Sequence, residues 1–145
     1  MKLTLEQLDL VAKDMDATIA FYRRLGVKIP QSAIWRTKSG AHHVRIGMAN
    51  GFELAFDSPK LARVYNRSYR GSRGGGNVVI GFSVGTRHGV DKLYAKMTKV
   101  GHRGLMPPWD AFWGSRYAIV ADPDGNPVGI MSPMDAKKRS AGPEL

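Results

Sequence analysis

Leu8-Asp9-Leu10-Val11 leads through Asp14 into Ile19-Ala20-Phe21-Tyr22 and halts at Leu25-Gly26; Ile80-Gly81-Phe82-Ser83-Val84 then repeats the design, leading into Val90-Asp91-Lys92-Leu93-Tyr94 and halting at Val100-Gly101. Each stretch reads as a strand, a helix and a glycine stop. Strand-like segments follow each one: His43-Val44-Arg45-Ile46 and Phe52-Glu53-Leu54-Ala55-Phe56 in the first half, Tyr117-Ala118-Ile119-Val120 and Val128-Gly129-Ile130-Met131 in the second. The pattern predicts an α+β fold of tandem βαβββ modules, each a scooped mixed sheet with one helix. We assign residues 1–66 to the first module and 67–76 to a Gly/Arg-rich linker. Residues 77–134 form the second module and 135–145 a flexible basic tail, the whole making one compact domain.

The details of the chain support these elements. Asp14 or Asp16 is placed to cap the first helix, and Met15, Ile19 and Tyr22 fall at helical spacing before Gly26. Val90, Leu93, Tyr94, Met97 and Val100 repeat the apolar stripe in the second helix, with Gly101 as its stop. His88 is read as lying in the turn before that helix. Asn50-Gly51 and Asp124-Gly125 read as hairpin turns.

Composition narrows the function classes. The 145 residues hold no cysteine, which excludes disulfides, thiolate metal sites and thiol nucleophiles. No long apolar run suggests a secretory signal or a membrane span, so a cytoplasmic protein without a membrane partner is expected. The excess of 22 Lys+Arg over 12 Asp+Glu gives a net charge of +10. Such a surface attracts nucleic acid or anionic small molecules, but no nucleic-acid recognition motif accompanies it. We do not expect a nucleic-acid partner.

Strand alternation selects the side chains that face the scoop. Gln7, Asp9 and Val11 share one face of the first strand, and Glu53 and Ala55 share one face of a later one. In the second half Val79, Gly81 and Ser83 face inward, as do Gly129 and Met131, while Val78, Ile80, Phe82 and Val84 pack beneath the helix. The two inward glycines either leave room for a ligand or permit sheet twist and close backbone approach. Trp109, Phe112 and Trp113 lie in a loop before a strand, with Trp35 in the corresponding connection of the first half. Rings at a cavity rim stack on a planar ligand; the alternative is a loop anchor or dimer contact.

Asp14-Met15-Asp16-Ala17-Thr18-Ile19-Ala20-Phe21-Tyr22 with Leu25-Gly26, and Asp122-Pro123-Asp124-Gly125-Asn126 preceded by Trp113-Gly114-Ser115-Arg116-Tyr117, resemble the vicinal oxygen chelate superfamily. That superfamily includes glyoxalase I, extradiol dioxygenases, fosfomycin-resistance enzymes and bleomycin-binding proteins. The resemblance runs over residues 3–133 and implies a homodimer with sites in the sheet concavities. It also implies four metal-ligand positions, which here hold Gln7, Glu53, Val79 and Gly129. Valine and glycine offer no side-chain donor. Gln7 and Glu53 would hold a divalent ion weakly, with Asp9 as a potential third ligand. The four histidines are read as caps, hydrogen-bonding or surface residues, and His42 and His43 as facing opposite ways.

Two functions follow. The first is a metal-free, cofactor-free binding protein of the glyoxalase/bleomycin-resistance type, holding a small organic ligand among Gln7, Asp9, Trp35, Glu53, Gly81, Ser83, Trp109, Phe112, Gly129 and Met131. The second is a lyase- or isomerase-type enzyme with Glu53 as general base or metal ligand.

Overall fold

A computed structural model describes residue 5 and residues 7–66, 69–71 and 78–143. The chain divides into two compact units, residues 1–73 and 74–145. The first unit holds β1 (Gln7–Val11), α1 (Met15–Leu25), β2 (Ile34–Thr37), β3 (Gly40–Gly47), β4 (Glu53–Asp57) and α2 (Pro59–Tyr65). The second holds β5 (Ile80–Ser83), α3 (Arg87–Lys99), β6 (Gly104–Asp110), β7 (Arg116–Ala121) and β8 (Pro127–Met131). Strand order is β1-β4-β3-β2 in one sheet and β5-β8-β7-β6 in the other. In each, the first strand runs parallel to the last and the remaining pairs are antiparallel. These are the two βαβββ modules read from the sequence.

Local chemistry explains the helices. Asp14 accepts a hydrogen bond from the Ala17 amide, and Gly26 closes α1 at φ 121, a backbone region that costs a residue with a Cβ. The face between these caps buries Ile19, Phe21, Tyr22 and Leu25. Tyr22 stacks on Phe56 of β4 with ring centroids 4.8 Å apart, so α1 covers one side of its sheet. Burying rings of this size stabilises by about 1.5–3 kcal/mol each. In the second unit Val90 and Met97 of α3 are buried, as are Ala118 and Val120 of β7 and Val128 and Ile130 of β8. Asp91 on that helix accepts two bonds from the Arg116 guanidinium.

Several elements differ from expectation. The first unit adds α2 after β4, started by Ser58 accepting from the Leu61 amide with Pro59 in the first turn. Helix α3 begins at Arg87 under a Thr86 cap, so His88 sits inside its first turn rather than before it. Trp35 and Trp109 stand on β2 and β6, not in loops. Both strands are sheet edges, where Pro107 and Pro108 cost no interior hydrogen bonds. Val78 precedes β5 and is exposed, so it does not pack beneath α3.

Most of the stretch read as a linker lies outside the described residues. The segment from Asp135, read as a flexible tail, forms a short 3-10 turn at Ala136–Lys138. It is tied back by Asp135 N–H to the Gly114 carbonyl and Ser140 N–H to the Phe112 carbonyl. No described helix is long and apolar enough to cross a membrane.

Candidate functional site

The face of the first sheet opposite α1 carries the polar side chains. Register places Gln7 beside Glu53, Asp9 beside Ala55 and Val11 beside Asp57. Strand β3 continues each row, with Gly47 opposite Glu53, Arg45 opposite Ala55 and His43 opposite Asp57. Gln7, Asp9 and Glu53 are thus brought to one face, as expected. Trp35 pairs with His43 at the edge of the sheet, is 53% exposed, and keeps its ring 5.3 Å from that of His42.

The polar groups on this face are committed to one another. Gln7 donates its amide to Asp9 at 2.8 Å. Arg45 grips both Glu53 oxygens, at 2.8 Å from Nε and 2.7 Å from Nη2. The pairing raises the Arg45 guanidinium further above its ordinary range. Burial, followed by the nearby Asp57 carboxylate, raises the Asp9 carboxyl above its ordinary range. A cavity of about 500 Å³ opens at the Gln7–Glu53 end, where Leu5, Asn50 and Phe52 join Gln7, Arg45 and Glu53 in its lining.

At the other end of the same face is an arrangement that the sequence reading missed. His43 Nδ1 lies 2.6 Å from one oxygen of Asp57, and the Tyr65 hydroxyl donates to the other at 2.7 Å. Asp57 is 3% exposed. Burial and the bond to Asp57 raise the Tyr65 phenol above its usual range, keeping it a donor across neutral pH. Neither His43 nor Asp57 is among the inward-facing residues taken from the sequence. Strand alternation extended one step beyond Ala55 reaches Asp57, and one step back from Arg45 reaches His43, so two of the three share a face with Glu53.

In the second unit, Gly81 pairs with Gly129, Ser83 with Met131, and Tyr117 with both Met131 and Trp109. A Cβ on Gly81 would meet open space, whereas one on Gly129 would fall 2.7 Å from the Tyr117 hydroxyl. Gly129 therefore makes room for a ring of the protein's own, and Gly81 leaves free volume. Trp113 contacts the rings of Trp109, Phe112 and Tyr117 at 5.5, 5.1 and 5.5 Å between centroids. The buried Trp109 indole N–H has no acceptor among the described residues. Phe112 lies on the turn between β6 and β7, where Gly142 approaches its ring.

The residues do not fit a divalent metal. Glu53 is engaged at both oxygens by a cation, and Gln7 presents its amide N–H to Asp9. Val79 precedes β5, and the strand partner of Gly129 is Gly81 rather than Val79. Among the described residues no group of three His, Asp or Glu side chains is placed to hold an ion.

The comparisons agree with this architecture. The family model of the Glyoxalase/Bleomycin resistance protein/Dioxygenase superfamily matches residues 4–130, and the chain belongs to that superfamily. A glyoxalase-related enzyme from Fulvimarina pelagi superposes with a TM-score of 0.74 at 22% identity, covering 92% of this chain and 93% of that one. A glyoxalase/bleomycin resistance protein/dioxygenase family enzyme from Burkholderia phytofirmans PsJN gives 0.73 at 19% identity, with 90% and 98% covered. Lactoylglutathione lyase from Agrobacterium tumefaciens gives 0.63 at 22% identity, with 89% and 92% covered. At these identities the structures share a fold. No curated protein matches the sequence.

Proposed function

We propose that the protein binds a small organic molecule, without a divalent metal, on the face of the first sheet opposite α1. The observation that carries this reading is the cavity of about 500 Å³, lined by Gln7, Arg45, Asn50 and Glu53 together with Leu5 and Phe52. Small-molecule sites span roughly 300–1,000 Å³, and the mostly polar lining of this one favours a polar ligand. The Arg45–Glu53 pair offers a planar cation and an anion side by side, suited to a polar ligand with both donors and acceptors. The free volume over Gly81 supports a second contact surface for organic ligands in the other unit. A cytoplasmic homodimer completes the proposal; the dimer follows from the family resemblance and is checked by light scattering.

The second reading is a lyase- or isomerase-type enzyme, supported by superfamily membership and the fold shared with a lactoylglutathione lyase. Glu53 is poorly placed as its base or metal ligand, because both of its carboxylate oxygens already accept hydrogen bonds from Arg45.

A thermal-shift screen of small polar organic compounds in EDTA tests the proposal. A ligand at one hundred times its Kd stabilises by about 2.7 kcal/mol, enough for a clear rise in Tm. We expect hits that EDTA leaves unchanged and that Arg45→Ala weakens. Hits that appear only with added Ni²⁺, Zn²⁺ or Mn²⁺ would overturn it.

A further inference from the structure

We infer that His43, Asp57 and Tyr65 form a metal-free proton-transfer site, with His43 the catalytic base and Asp57 and Tyr65 its positioning residues. The substrate class is a small carbon acid, with a C–H bond beside a carbonyl or imine. The inference rests on reading this sheet face as a ligand site.

Strand register brings the groups together. His43 on β3 and Asp57 at the end of β4 are cross-strand partners, and α2 returns the chain so that Tyr65 reaches the same carboxylate. Asp57 is buried and has both oxygens engaged, so it stays fixed. A carboxylate only accepts, so neutral His43 carries its proton on Nδ1 and turns a lone pair out at Nε2. That nitrogen has no hydrogen bond among the described residues, and the side chain is 34% exposed. Anchoring Asp57 requires a donor and nothing more; a free acceptor on the far side of the ring is what a general base requires.

The neighbours suit the chemistry. Ala55 lies between Arg45 and Asp9 in the adjacent row. Arg45, two residues from His43 on the same strand face, places positive charge beside the site, although shared with Glu53. His43 Nε2 takes the proton from the carbon, the C–H pair forms the new C=C bond, and the carbonyl π pair moves to oxygen as an enolate. Asp57 stabilises the imidazolium, which returns the proton to the same carbon or to the enolate oxygen. The step needs no oxidant, reductant or co-reactant.

The test uses 5-nitrobenzisoxazole with the full chain in EDTA. A base removes its C3 proton, that bond pair completes the nitrile, and the N–O bond breaks to release a coloured phenolate. Positioned general bases contribute roughly 100-fold or more. We expect wild type to exceed buffer by about that factor and to saturate with probe. His43→Gln should fall to the buffer rate while still quenching tryptophan fluorescence on probe binding, and His88→Gln should match wild type. In ¹⁵N spectra wild-type His43 should be the Nδ1–H tautomer, and Asp57→Asn should lose that preference together with rate. Binding without a His43-dependent rate overturns the base and leaves the ligand site standing; neither binding nor rate overturns both. A His43→Gln rate equal to wild type also overturns the inference.

Discussion

Asp57 holds His43 across two neighbouring strands, with one carboxylate oxygen 2.6 Å from Nδ1. The second oxygen is occupied by the Tyr65 hydroxyl, so a short helix after the sheet completes a contact begun inside it.

Tyr65→Phe removes that hydroxyl from a buried carboxylate. Leaving a buried acceptor without its donor costs about 1–3 kcal/mol, and the low end applies because the exposed Tyr65 position lets water approach. Urea unfolding should show a lower midpoint with an unchanged slope. An unchanged midpoint would mean that α2 contributes nothing to fixing Asp57.

Gly114 has φ +99, and an added Cβ would fall 2.4 Å from the Asp135 carbonyl oxygen. Both the backbone and its neighbour resist a side chain there. Gly114→Ala should destabilise by about 2 kcal/mol. It should also open residues 135–140 to limited proteolysis, since their docking uses the Gly114 and Phe112 carbonyls. A resistant, equally stable variant would contradict this packing.

The Asp9 carboxyl is raised by burial and then by Asp57. A raised carboxyl binds its proton more tightly when folded, so the stability that it contributes is complete below the unfolded value and declines as pH rises through the folded one. Asp9→Asn should therefore stabilise at neutral pH, by well under about 1 kcal/mol because the group is largely solvated and screened. The gain should vanish in acid below the ordinary carboxylate range. Paired denaturation series at pH 7 and pH 3 check the sign; destabilisation at pH 7 would refute it.

The repeat was legible because its signals are local. Asp14 caps α1 where an N-cap was sought, Gly26 ends it, and alternation put Gln7, Asp9 and Glu53 on one face. Ser58-Pro59 is an equally local helix-start signal, a cap followed by a proline in the first turn, although the α2 behind it is too short to show a repeating apolar stripe. Pro107-Pro108 obscured β6, since proline argues against a strand until its edge position is known. The His43–Asp57 pair depends on the alignment of β3 against β4, a long-range register that spacing along one strand does not supply. An ion pair between Arg45 and Glu53 is legible from their neighbouring hairpin strands; its two-pronged form, which occupies both oxygens of the one carboxylate among the four family ligand positions, depends on the same register.

Native mass spectrometry of protein purified without chelator, with and without added Ni²⁺, Zn²⁺ or Mn²⁺, decides whether the sheet face works without a metal. No ion should bind stoichiometrically, and an organic ligand from the screen should bind equally well in EDTA. One tightly held ion per chain, lost in Glu53→Gln, would contradict this.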